Sequence, residues 1–119
     1  MRLWEDQVLW PNGRQGIYAY IEKAHAAVII PWDGEKLTLV RQHRYTIGGD
    51  VWELPMGAVD GADLDPLDVA AQELREETGL IAAKWTDLGL LYFAYGMSSK
   101  PFNAFLAEEL SQGERQLEP

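Results

Sequence analysis

The chain of 119 residues and 13.4 kDa carries a formal net charge of −9 and a pI near 4.5, which excludes the basic face that a nucleic-acid partner requires. It has no cysteine, so disulfides and thiolate metal sites are excluded too. No stretch approaches the roughly 18 apolar residues of a membrane span, and no basic-then-apolar leader opens the chain, so the expectation is one soluble, cytoplasmic domain over residues 1–119 without a membrane partner.

In chain order, residues 3–10 and 16–21 read as two strands of a hairpin joined by the turn chemistry of Pro11, Asn12 and Gly13. Residues 24–30 run almost continuously apolar, as a central strand covered on both faces does. After a turn at 31–35 comes a strand over 36–42, whose end, Arg41 to Tyr45, is the only dense positive patch. Residues 47–50 break the pattern, and 51–54 resume extended structure into a loop at Gly57.

Asp65 and Pro66 then read as an N-cap followed by proline at the first helical position, and Gly79 as the helix end. Leu67, Ala70, Ala71, Leu74 and Thr78 give that helix a small or apolar face to pack. Glu73, Glu76 and Glu77, at i, i+3 and i+4, project from the other face within roughly a third of a turn. Like charges so close repel. Either the face is solvated, or a divalent cation neutralises it. Strands follow at 83–88 and 89–94 with a glycine break between them, then a loop at 95–101 and a last strand at 102–107. The tail from Glu108 is polar with no packed face. About seven strands around one sure helix make the class α+β.

The loop-helix of residues 57–80 resembles the signature of the Nudix hydrolases: a glycine, five residues, Glu, seven residues, then Arg-Glu-aliphatic-any-Glu-Glu-any-Gly-aliphatic. Glu73-Leu74, Glu76-Glu77 and Gly79-Leu80 match it. Gln72 stands where the family has arginine, and the loop after Gly57 is one residue longer than the family's. Asp63 and Asp65 are therefore both candidates for the family's isolated glutamate, Asp65 being alternatively only the helix cap. Val8 to Gly16 with Ile17-Tyr18, residues 39–45, Trp52 to Pro55, Trp85 with Leu88-Gly89, and Phe105 to Ala107 look like the ADP-ribose pyrophosphatase branch.

The resemblance implies a Nudix-like α/β/α sandwich, a mixed β-sheet flanked by helices. The helix that usually follows the last strand is lacking, so the chain reads as a fragment or short version of the family domain. The implied activity is metal-dependent cleavage of the diphosphate in a nucleoside diphosphate linked to another moiety, ADP-ribose or a related nucleotide sugar. The alternatives are nucleoside triphosphates or dinucleoside polyphosphates, or a non-catalytic nucleotide-binding module. The implied cofactor is Mg²⁺ or Mn²⁺, held by Glu73, Glu76 and Glu77 with the Met56 backbone carbonyl as a further ligand. Glu73 is either ligand or water-activating base, because the loop at 96–100, where ADP-ribose enzymes often carry a glutamate, has no acid. Gln72, Gly57 and Asp63 support the site.

For the substrate, Arg44 and Arg41 are candidates because a guanidinium fork pairs with phosphate oxygens. Three positions apart, they cannot share a strand face without a bulge, and Arg44 is favoured. Trp52 and Glu53 precede the loop where the family places substrate-facing residues, though Trp52 also reads as core. Tyr18, Tyr20 and Tyr95 read as packing or as a base-stacking surface, and His25 and His43 as satisfied structural histidines. Branch members are often homodimers in which the N-terminal strands complete the partner's site. The aromatic N-terminus here serves either that purpose or its own core.

Overall fold

The computed structural model describes residues 1–61 and 63–113. Strands β1 (Arg2–Leu9) and β2 (Gln15–Glu22) form an antiparallel hairpin. Its turn closes through Gly13 at φ 85°, a left-handed conformation that glycine adopts without steric cost. Strand β3 (Ala26–Pro31) is the centre of a four-stranded sheet. A second hairpin, β4 (Val40–Arg44) and β5 (Gly49–Glu53), turns through a short 3-10 segment, Tyr45–Ile47, and Gly48. Strand β6 (Met56–Ala58), helix α1 (Pro66–Thr78), β7 (Leu80–Tyr92) and β8 (Pro101–Gln112) complete the described chain.

The main sheet runs β6-β3-β8-β7, with β3 and β8 parallel and the other pairs antiparallel. It is a mixed sheet with one helix on it, the α+β class that the pattern of strands and helix predicts. Strand β3 is buried almost throughout, and its sequence accordingly does not alternate, as in a strand covered on both faces. In register, Ile29 lies opposite Phe105, and both join Ala27, Val59, Val69, Ala70, Leu74 and Ala107 in the core under α1.

Helix α1 starts and stops on local signals. The Asp65 side chain accepts a hydrogen bond from the Leu67 N–H at 3.0 Å, Pro66 follows, and Gly79 closes the C-terminus at φ 79°. The buried stripe is Val69, Ala70 and Leu74; Ala71, expected on it, is exposed. The packed face is thus rotated toward Val69, and this turns Glu73 and Glu77 toward the sheet edge.

Several strand boundaries differ from the sequence reading, β6 forming where a loop at Gly57 was expected, and three of the differences have a local cause. The Asp33 side chain accepts bonds from the Glu35 and Lys36 N–H groups at 2.8 and 2.7 Å and holds 33–36 in a turn, so the strand expected at 36–42 begins only at Val40. Gly89, at φ 101°, makes a bulge and not a break: β7 continues through it, re-registering on β8 between Asp87 and Gly89. Strand β8 runs on past Ala107 because Glu108, Leu110, Ser111 and Gln112 find ladder partners in β7 and Leu110 packs on the core. Backbone pairing there overrides the polar composition. The helix whose absence the sequence suggested would fall beyond Gly113, outside the described residues.

The radius of gyration is 17.4 Å, against about 13–14 Å for a compact chain of this length. The long dimension, 57 Å, accommodates the β1–β2 hairpin, on which Leu3, Leu9 and Ile17 are exposed. The hairpin is stitched to the 93–100 loop: Ile21 donates to the Met97 carbonyl at 2.8 Å, Ser99 donates to the Ile21 carbonyl at 3.0 Å, and the Tyr18 hydroxyl donates to the Gly96 carbonyl. Among the described residues no helix is long and apolar enough to cross a membrane.

Candidate active site

The β4–β5 hairpin sorts its charged residues by the two-residue period of a strand. Gln42, Arg44 and Glu53 fall on one face; Arg41, His43, Asp50 and Trp52 fall on the other. On the first, Arg44 grips Glu53 with two parallel N–H bonds, from Nε to Oε2 at 2.5 Å and from Nη2 to Oε1. These bonds hold the Glu53 carboxyl below its ordinary range and raise the Arg44 guanidinium. On the second, Arg41 pairs with Asp50 at 3.2 Å and lies 5.8 Å from the centre of the Trp52 ring, while His43 Nδ1 sits 3.1 Å from Asp50. Trp52 is 65% exposed, which overturns its reading as core, and the Arg41 guanidinium lies over its ring.

Helix α1 supplies the acids. Burial pushes the Glu77 carboxyl up; a bond from the Met56 backbone N–H works against this, and repulsion from Glu53 and Glu76 adds to it. Gln72 Nε2 donates to Glu76 Oε1 at 2.8 Å, so the glutamine orients a carboxylate where the family has arginine. The Glu73 side chain lies directly over Gly57: a Cβ there would stand 2.2 Å from Glu73 Cγ. The close approach of β6 and α1 depends on that missing methyl.

A cavity of about 440 Å³ opens between these elements, lined among others by Gln42, Arg44, Glu53, Met56, Gly57 and Glu77 and by Lys23 and Lys100. The structure therefore brings together Arg44, Glu53, Met56, Gly57 and Glu77, and leaves Arg41, Trp52 and Asp63 outside. Asp63 is exposed in the loop, and Asp65 is engaged as the helix cap. Gln72 and Glu76 line a separate hollow of about 380 Å³ with Arg75 and Trp85. Glu76 and Glu77 are about 100° apart around the helix axis, wide enough to open in different directions.

Among the described residues no three carboxylate or imidazole groups converge into a ready-made metal cage. Yet Glu76 Oε2 and Glu77 Oε2 are both buried without a hydrogen-bond partner. A carboxylate oxygen only accepts, and burying one unpartnered is costly. A hard divalent cation removes that cost, and the donor set of carboxylate and carbonyl oxygens is the one such ions prefer. The residues present fit the ion that the resemblance implies.

Lys23, Lys100 and Gln42 are absent from the sequence reading. Gln42 had a signal, two positions from Arg44 on one strand face; the lysines had none nearby in sequence. His25 is a correction: its Nε2 is buried without a partner among the described residues, although its backbone carbonyl accepts from the Val59 N–H at 2.8 Å. Tyr18 hydrogen-bonds a loop carbonyl and packs near Trp10, which makes it structural, and Tyr95 is exposed.

An acidic loop-helix laid on a mixed sheet, with a cavity between its carboxylates and a hairpin arginine, defines a small class of α+β domains. The sequence profile of the NUDIX domain matches residues 22–117, and the chain belongs to the Nudix family. It is 38% identical over 108 residues to an ADP-ribose pyrophosphatase of Mycobacterium tuberculosis (strain ATCC 25618 / H37Rv), covering 90% of this chain and 52% of the relative. It is 33% identical over 110 residues to an ADP-ribose pyrophosphatase of Bacillus subtilis (strain 168), covering 92% of this chain and 59% of the relative. A crystal structure described as an ADP compounds hydrolase superposes with a TM-score of 0.78 at 23% identity, over 94% of this chain and 61% of that one, and supports the fold. The chain thus spans between half and two thirds of the length of these relatives.

Proposed function

We propose that this domain is a metal-dependent pyrophosphohydrolase that cleaves the diphosphate of ADP-ribose or a related nucleotide sugar. The observation that carries the reading is the buried, partnerless Oε2 of Glu77, a residue that lines one cavity with Arg44, while the equally partnerless Oε2 of Glu76 belongs to a residue of the neighbouring hollow. Glu73, Glu76, Glu77 and the Met56 carbonyl hold Mg²⁺ or Mn²⁺ in this reading. Such an ion neutralises phosphoryl oxygens and activates water for attack at phosphorus. The Met56 N–H fixes the Glu77 carboxylate, Gln72 fixes that of Glu76, and Gly57 lets Glu73 approach the loop. Arg44, held straight by Glu53, presents its remaining N–H donors to the substrate diphosphate. Arg41 and Trp52 belong to the outer face of the same hairpin and meet at most the far end of a long substrate.

The domain acts as one unit on a nucleotide-derived small molecule in the cytoplasm, without nucleic-acid or membrane partners. It pairs with a second copy through the exposed apolar residues of the β1–β2 hairpin. A second reading has a specific observation in its favour: the loop that reaches the cavity carries Lys100 and no acid, which suits a more anionic substrate, a nucleoside triphosphate or dinucleoside polyphosphate. The deciding experiment screens the purified chain with Mg²⁺ and with Mn²⁺ against ADP-ribose, sugar nucleotides, dinucleoside polyphosphates and triphosphates. AMP and ribose 5-phosphate from ADP-ribose is the expected result. No product from any substrate with either ion defeats the hydrolase reading and leaves a nucleotide-binding module.

A further inference from the structure

Lys23 and Lys100 lie 77 positions apart in sequence, yet both line the cavity that Glu77 and Arg44 face. The backbone explains how. Ile21 and Ser98 form a parallel bridge, locked by the amide bonds from Ile21 to Met97 and from Ser99 to Ile21. Counting two residues onward from each member of that bridge reaches Lys23 and Lys100, and side chains two apart on extended backbone share a face. The stitch that ties the hairpin to the body therefore also brings two lysines to one cavity.

That placement brings like charges together. The protein carries −9 overall, yet three of its ten lysines and arginines line this one cavity. Arg44 is neutralised by Glu53, whereas neither lysine forms an ion pair with a carboxylate among the described residues. Burial, then Lys23 and Arg44, depress the Lys100 amine. The Phe93 ring, 5.0 Å from Lys100 Nζ, partly offsets that charge. A second anion between the lysines would relieve the repulsion. Phosphoryl oxygens match both the charge and the ammonium donors.

We infer that Lys23 and Lys100 form a two-pronged oxyanion clamp that holds one phosphoryl group of a diphosphate-bearing ligand, while the other lies toward Glu77 and Arg44. The clamp makes this cavity selective for two linked phosphoryl groups over one. It rests on the reading of the cavity as the substrate site, but not on turnover. In an acidic protein it also gives the anionic ligand its local attraction.

The test is calorimetric titration of the whole chain with methylenediphosphonate, whose bridging carbon cannot be hydrolysed, at fixed Mg²⁺. Lys23→Gln and Lys100→Gln should each weaken binding about tenfold and the double variant about a hundredfold, the scale of charge-assisted hydrogen bonds. Lys100→Arg, which keeps the charge, should bind within about threefold of the parent, and thermal unfolding of each variant reports whether the fold survives. Equal binding by the parent and both folded Gln variants, or no binding by the parent, overturns the clamp. Failure of every substrate in the turnover screen with this binding pattern intact removes the hydrolase and keeps the clamp. Turnover without the binding pattern does the reverse.

Discussion

Replacing Gly57 by alanine adds a single methyl group at the point where β6 meets α1. The ideal Cβ stands 2.2 Å from Glu73 Cγ, 2.5 Å from Cδ and 2.7 Å from Oε1. Carbon atoms in contact settle at about 3.5–4.0 Å, so the Glu73 side chain must withdraw by more than about 1 Å. Gly57 lies within a β-strand and does not use the left-handed conformations reserved for glycine, so the backbone itself accepts alanine and the whole effect falls on Glu73. A misplacement of about 1 Å in a positioned group costs about a hundredfold in rate, or about 2.7 kcal/mol of barrier. Overpacking costs about 1–3 kcal/mol of stability, and the stiffer unfolded chain returns about 0.4–1 kcal/mol. Steady-state kinetics with Mg²⁺ and urea denaturation measure the two effects. A double-mutant cycle isolates the cause, because in a Glu73→Ala background the overlap is gone and the stability loss should vanish. A folded Gly57→Ala protein with kcat within about twofold of the parent, or an equal stability loss in both backgrounds, refutes the reasoning.

Glu77→Gln should abolish metal-dependent turnover while leaving the fold intact; undiminished activity removes Glu77 from the site. The same substitution should flatten a pH dependence. A carboxyl whose folded pKa is raised holds its proton longer folded than unfolded, so stability falls as pH rises from the ordinary glutamate value to the raised one, and thermal melts across that window should lose the slope in the variant. Adding Mg²⁺ should raise the melting temperature of the parent more than that of Glu77→Gln. Leu74→Ala, at a fully buried position under the sheet, should cost about 2–5 kcal/mol in denaturant titration; a loss below about 1 kcal/mol means that the core does not close on this residue. Gln72→Arg replaces a neutral donor to Glu76 with a charged one and should lower the Mn²⁺ concentration needed for half-maximal rate; an unchanged dependence shows that the amide already suffices.

What the sequence disclosed and what it hid divide along the distance over which each signal acts. Helix α1 was legible because Asp65, Pro66 and Gly79 act on their own neighbours, and β3 because an unbroken apolar run means cover on both sides. The separation of Arg41 from Arg44 was legible too, since strand alternation alone places them on opposite faces. The end of β8 was not, because Glu108 and Gln112 pair for reasons found in β7 and not in their own hydropathy. Nor was the divergence of Glu76 from Glu77, since spacing shows a shared helix surface but not which hollow each edge meets. Lys23 and Lys100 were the least visible, being joined only by a bridge across 77 positions.

That bridge makes the outstretched hairpin a lever with its fulcrum at Ile21. The span that defines the family in this chain opens at residue 22, one position after the amide and carbonyl that moor the Lys100 loop. Inheritance and mechanics draw the edge of the domain in different places. A strain applied to the hairpin tip reaches the cavity wall through two backbone hydrogen bonds, so whatever grips the hairpin also sets the spacing of the lysines.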